Sequence, residues 1–165
     1  MNKIQIELTD GRVMNANLYE DIAPITVKNF MELVAKDFFA GLVFHRVIPK
    51  FMIQGGGMDQ AFNPKATPSI KGEFRANGVQ NDLKHTKGTL SMARTNMPNS
   101  ASSQFFICVD DTPFLDGQYA AFGELSDEES MQVAVDISNV HTISVGYYDD
   151  VPYEPIIIKT IHKVD

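Results

Sequence analysis

Residues 44–57 read Phe-His-Arg-Val-Ile-Pro-Lys-Phe-Met-Ile-Gln-Gly-Gly-Gly. Six large apolar residues (Phe44, Val47, Ile48, Phe51, Met52, Ile53) surround few polar side chains, and besides Lys50 those able to do chemistry are His45, Arg46 and Gln54. A run this apolar, closed by three glycines, predicts a buried or half-buried strand that ends where the backbone turns tightly. Arg46 is the anomaly. Arginine is almost never fully buried without a partner, so its guanidinium is expected in a groove, braced by a neighbour. Taken alone, a snorkelling or salt-bridged arginine is the commoner explanation.

A second stretch shifts that weighting. Residues 88–109, Gly-Thr-Leu-Ser-Met-Ala-Arg-Thr-Asn-Met-Pro-Asn-Ser-Ala-Ser-Ser-Gln-Phe-Phe-Ile-Cys-Val, hold two strand-like runs around a polar loop. Four pieces (Phe-His-Arg-x-Ile-Pro-x-Phe-Met-x-Gln-Gly-Gly, Leu-Ser-Met-Ala, Ser-Gln-Phe-Phe-Ile, and Phe-Leu-Asp-Gly at 114–117) fall in one order along the chain. In that order and spacing the sequence strongly resembles the cyclophilin family of peptidyl-prolyl cis/trans isomerases, in its bacterial-like single-domain form. The likeness covers essentially the whole chain.

Length and composition agree without deciding. At 165 residues the chain makes one domain, large enough to bury about 70% of its unfolded surface. Its single Cys forms no internal disulfide, which fits a reducing compartment. The opening Met1-Asn2-Lys3-Ile4-Gln5-Ile6-Glu7 lacks the apolar core of a signal peptide, and no run approaches a membrane span. Cytoplasmic residence is expected. The net charge of −7 argues against nucleic acid, which is held largely by Lys and Arg on phosphates. Residues 95–158 carry eleven Asp or Glu and no Lys or Arg, a pattern that reads first as a solubilising surface and second as a dock for basic partners.

Taken in order, Ile4, Ile6 and Leu8 alternate, as do Met14, Ala16 and Leu18, around Asp10-Gly11. That predicts a hairpin, because glycine accepts the positive φ of the turn. Pro24 opens a helix to about Lys36, with Val27, Phe30, Met31 and Val34 as its apolar stripe. Residues 58–86, with Pro64, Pro68, Gly72 and Gly78, predict a long irregular stretch with one short strand near 70–74. Strands are expected at 89–93, 104–109, 119–124 and 156–161. A second helix should follow a capping box of Ser126 and Glu129, turning Met131, Val135 and Ile137 or Ser138 to the core. Short strands plus two helices predict a mainly β barrel or sandwich. The resemblance implies a closed eight-stranded antiparallel β-barrel capped by two α-helices.

Several chemistries are disfavoured. Gly55-Gly56-Gly57 matches no phosphate loop. The histidines at 45, 85, 141 and 162 lack metal-ligand spacing, so no metal or cofactor is expected. Ser91, Ser102 and Ser103 lack a G-x-S-x-G elbow. Cys108 sits in an apolar strand, as a small buried hydrophobe.

The resemblance implies an enzyme that rotates X–Pro bonds in proline-containing peptides and in unfolded or folding proteins. Carried over by position, Arg46 and Gln54 are the expected catalytic pair. Phe51, Met52, Phe106 and Leu115 match the pocket for the proline ring, and Ala93 and Gln104 match the groove for the residues before it. Three departures stand out. Phe114 occupies the position where many members carry Trp, Tyr119 stands for a rim His, and Ala93-Arg94-Thr95 replaces Ala-Asn-Ala, with one extra residue in the loop that follows. The first two imply an active isomerase with weakened affinity for cyclosporin, the family's characteristic inhibitor. A non-catalytic proline-peptide module is the runner-up reading, and a barrel enclosing an apolar ligand is a third. With no sequence signal for association, a monomer is expected.

Overall fold

A computed structural model describes residues 1–165. The alternating apolar residues set its frame. Ile4, Ile6 and Leu8 on β1 (Asn2–Leu8) and Met14, Ala16 and Leu18 on β2 (Val13–Leu18) are all at most 1% exposed. The two strands pair antiparallel, and Gly11 takes φ 94° in the connecting turn. The chain then enters helix α1 (Pro24–Ala35), with Pro24 in its first turn. This helix buries Thr26, Val27, Phe30, Leu33 and Val34. Leu33 joins the expected stripe, and Met31, half-buried, packs against the same core.

No side chain at the start of α1 caps it; the cap arrives from far along the chain. The Glu73 carboxylate, 2% exposed, accepts from the Thr26 N–H at 2.6 Å and from its hydroxyl at 2.7 Å. It thereby satisfies one of the free donors at the positive end of the helix. Glu73 belongs to the long irregular stretch, where the strand expected near 70–74 does not form. Its backbone is committed elsewhere: the Ile70 N–H donates to the Ala101 carbonyl at 2.8 Å and the Gly72 N–H to the Asn99 side chain at 3.0 Å. One 3-10 turn, Arg75–Asn77, is the regular element nearby.

The remaining strands are β3 (Arg46–Ile48), β4 (Met52–Gly55), β5 (Thr89–Met92), β6 (Phe105–Cys108), β7 (Ala121–Leu125), β8 (Thr142–Val145), β9 (Tyr148–Pro152) and β10 (Ile158–Val164). Eight of the ten strands form one curled antiparallel sheet in the order β10-β1-β2-β7-β5-β6-β4-β3. The expected closed ladder is not continuous. Its edges, β10 and β3, approach through the residues that precede them: a Val43–Ile157 bridge, with the Phe44 N–H on the Ile156 carbonyl and the Ile158 N–H on the Leu42 carbonyl. Beyond that junction the hairpin β8–β9, which the periodicity did not announce, lies beside β3.

Helix α2 (Glu128–Ser138) follows β7. Its N-cap is Asp127, whose carboxylate accepts from the Ser130 N–H at 2.7 Å, one residue later than the expected Ser126 box. The buried face is Ser130, Ala134, Ile137 and Ser138, so Ile137 and Ser138 turn inward as expected; Val135 is half-buried against the core and Met131 is half-buried.

Candidate active site

The hairpin β3–β4 places Arg46 directly opposite Gln54. Its turn runs through Pro49 to Lys50, which adopts φ 62° at a position usually given to Gly or Asn. Successive residues of an extended chain point to opposite faces, so His45 and Arg46 part company. Arg46 Nη1 donates to Gln54 Oε1 at 3.3 Å, and Gln54 Nε2 donates to Gln104 Oε1 at 3.0 Å. This chain of two amides and a guanidinium crosses from β3 to the residue before β6. Gly57 makes room for it. A Cβ there would lie 2.3 Å from the Gln104 side chain.

Beside Arg46 lies a cavity of about 170 Å³, lined by Phe51, Met52, Phe106, Leu115 and Tyr119 on the apolar side and by Gln54, Ala93 and Arg94 at its mouth. Met52, Phe106, Cys108 and Leu115 form a small apolar cluster of their own beneath it. A second cavity, of about 260 Å³, adjoins the first through Gln54, Ala93 and Arg94, and is walled by Thr95, Ser100, Ser102 and Gln104. The fold thus gathers ten of the eleven residues expected at the site into one continuous groove. The exception is Phe114. It is 69% exposed, outside the cavity, with its ring 5.7 Å from that of Phe51.

His45 is not part of this groove. Its ring is 6% exposed, packs edge-on to Tyr148, and has an Nδ1 without a hydrogen-bond partner. Burial, helped by the neighbouring Arg46 charge, lowers its pKa to about 4, so it is neutral at pH 7. Cys108 is fully buried and its thiol is pushed up to about 11 by that burial.

One arrangement was not visible in the sequence. His85 Nδ1 lies 3.1 Å from Asp116 Oδ1, and its Nε2 lies 2.8 Å from Ser91 Oγ. An Asp–His–Ser chain suggests a nucleophile, but Ser91 is 0% exposed and no substrate can reach it. Its visible work is support. The His85 ring stacks on Phe106 at 6.0 Å and 18°, while Tyr119 meets the same ring edge-on at 5.8 Å. Residues 85, 91 and 116 have no recognisable spacing; only the fold joins them.

The site is thus a positively charged, amide-braced groove beside an apolar pocket. The chain belongs to the cyclophilin type peptidyl-prolyl cis-trans isomerase/CLD family, whose model matches residues 3–163. It is 48% identical over 144 residues to peptidyl-prolyl cis-trans isomerase A of Dickeya dadantii, covering 84% of this chain and 72% of that one. It is 43% identical over 152 residues to peptidyl-prolyl cis-trans isomerase B of Escherichia coli, covering 87% and 88%. Its fold is similar to the crystal structure of a Cryptosporidium parvum cyclophilin type peptidyl-prolyl cis-trans isomerase solved in the presence of the dipeptide Ala-Pro. That match has a TM-score of 0.79 and 28% identity, and covers 99% of each chain. The activity of this family is isomerisation of the X–Pro bond, which assists protein folding. No helix is long and apolar enough to cross a membrane.

Proposed function

We propose that residues 1–165 act as one isomerase domain in which Arg46 promotes rotation about X–Pro bonds while the apolar pocket holds the proline ring. The observation that carries this reading is Arg46, braced by Gln54 at the mouth of a pocket built from Met52, Phe106 and Leu115. Turning the bond costs ~18–20 kcal/mol because amide resonance is lost, and spontaneous exchange takes tens to hundreds of seconds. At the twisted transition state the nitrogen lone pair is no longer delocalised, and it accepts a hydrogen bond that the planar amide refuses. A guanidinium aimed at that nitrogen therefore binds the transition state selectively. One charge-assisted hydrogen bond contributes about 1.5–3 kcal/mol net, and more where the donor is already oriented.

At about 1.4 kcal/mol per tenfold, Arg46 supplies roughly one to two decades of rate, and about three where the donor is already oriented. The grip supplies the rest: with the ring seated against Phe51, Met52, Phe106 and Leu115, rotation takes place on the other side of the bond. Gln54 keeps Arg46 aligned and offers its amide to the substrate backbone. Ala93, Arg94 and Gln104 receive the residues that precede proline, and Phe114 and Tyr119 form the rim. The substrates are proline-containing peptides and folding proteins, engaged by a monomer with weakened cyclosporin affinity. The proposed location, the cytoplasm, rests on the reduced single cysteine. The test is exchange NMR on a proline-containing tetrapeptide. Catalysed exchange with shifts at Met52, Phe106 and Leu115 is expected; binding there without accelerated exchange would leave a passive proline-peptide module.

A further inference from the structure

We propose that Arg94 is a specificity-determining residue that selects proline substrates with an acidic side chain on one of the two residues before the proline; this rests on the groove being the isomerase site. Arg94 lines both cavities. Its guanidinium lies over the rings of both Phe74 and Tyr119, 4.7 Å from each centroid. Nε and Nη2 donate to the Gln118 carbonyl at 3.2 and 2.7 Å, and Nη1 to the Thr95 carbonyl at 2.9 Å. Those bonds use three of the five N–H donors of an arginine and leave two free.

The charge itself is uncompensated. None of the five ion pairs in the protein involves Arg94, and aromatic faces hold a cation without neutralising it. No Asp or Glu lines either cavity. The second cavity's other walls are Gln54, Ala93, Thr95, Ser100, Ser102 and Gln104, all neutral. A chain of net charge −7 thus presents only positive charge, Arg46 and Arg94, to its groove. A half-buried, pre-oriented guanidinium with free donors and no carboxylate of its own is a receptor for one brought by the substrate. Lys at the same substrate position meets a like charge. An Arg94 that merely ties residues 93–95 to the 118 loop would affect all peptides alike, so the ratio between peptides distinguishes the roles.

The experiment uses blocked tetrapeptides with Glu, Gln or Lys placed one or two residues before the proline, each followed by exchange NMR at low salt. At one of the two positions kcat/KM should rank Glu, Gln, Lys, with Glu ahead of Lys by about three- to thirtyfold, between an exposed ion pair and a charge-assisted hydrogen bond. The ratio should shrink in about 0.5 M NaCl, where the screening length falls well below 10 Å. Arg94→Met should bring it below about twofold, whereas Arg94→Lys should retain a clear preference for Glu. If Arg94→Met is too unstable to assay, the salt response of the wild type and the Arg94→Lys ratio decide. Equal turnover of Glu and Lys peptides overturns the proposal while leaving the isomerase intact. An undiminished ratio in Arg94→Met overturns it in favour of Arg46 as the source. Failure to accelerate any of the peptides overturns both readings.

Discussion

One strand, β6, feeds two apolar clusters of opposite character. Phe105 and Ile107 enter a cluster of 31 buried residues, where the Phe105 ring lies within 6 Å of those of Phe30, Phe39 and Phe44. Phe106 and Cys108 point the other way, into a cluster of only four buried residues, and Phe106 also lines the groove. Both phenylalanines are nearly solvent-free, at 0% and 5% exposure. The difference lies in what encloses them. Phe105 is surrounded by protein on all sides, whereas Phe106 turns one face to the cavity and is backed by His85 and Tyr119. The same residue type therefore fills the core on one face of the strand and lines the proposed substrate pocket on the other.

Truncation should separate the two faces most sharply. Phe105→Ala should cost about 3–5 kcal/mol in urea denaturation. Phe106→Ala should cost clearly less stability, yet lower kcat/KM by about tenfold or more, since about 1.4 kcal/mol of lost grip is enough. Equal stability losses with equal turnover would erase the distinction.

Acid should act on the buried imidazole of His45, which faces away from the groove. His45 has a folded pKa of about 4 against an ordinary value near 6.5. The unfolded chain therefore takes up a proton first as pH falls, and the contribution present above 6.5 is lost between 6.5 and 4. Denaturation at pH 7 and 4.5 should show a loss from this residue of about 2–3 kcal/mol, absent in His45→Gln. An unchanged pH dependence in that variant would mean that the buried imidazole is not the group responsible.

At the rim, Phe114 offers an apolar face but no hydrogen-bond donor, unlike Trp. Phe114→Trp should strengthen cyclosporin inhibition by roughly five- to two-hundredfold, the equivalent of about 1–3 kcal/mol. Isomerase activity should change little in comparison. Equal, tight inhibition of both proteins would show that this position does not control the drug. The smallest effect belongs to Cys108: replacement by Ala should cost about 1 kcal/mol for the small void. With its thiol pushed up to about 11, the native protein should react slowly with thiol reagents. Rapid labelling with loss of activity would place Cys108 nearer the groove than its burial implies.

Much of this architecture is legible in the sequence where periodicity is strong. The β1–β2 hairpin and α1 follow from alternation, Asp10-Gly11 and Pro24. Glu73 capping α1 is not legible, because its partner Thr26 lies 47 residues away. Nor does Phe105-Phe106-Ile107-Cys108 reveal which face is core and which is pocket, since all four residues are buried and no alternation marks the sides. The family register carried the assignment of Phe106. The α2 cap slipped by one because Asp127 and Ser126 both suit the role, and only the geometry of Ser130 chooses between them. The Asp116–His85–Ser91 support emerges from three separated segments and has no local signature.

The most direct test of the central claim, that Arg46 acts on the twisted amide and the pocket on the proline ring, compares Arg46→Ala with the wild type on one peptide, measuring exchange rate and affinity separately. Loss of transition-state binding alone predicts that kcat/KM falls by roughly ten- to a thousandfold, from about 1.5–3 kcal/mol or more, while peptide affinity falls far less. Turnover unchanged in a correctly folded Arg46→Ala protein would contradict it.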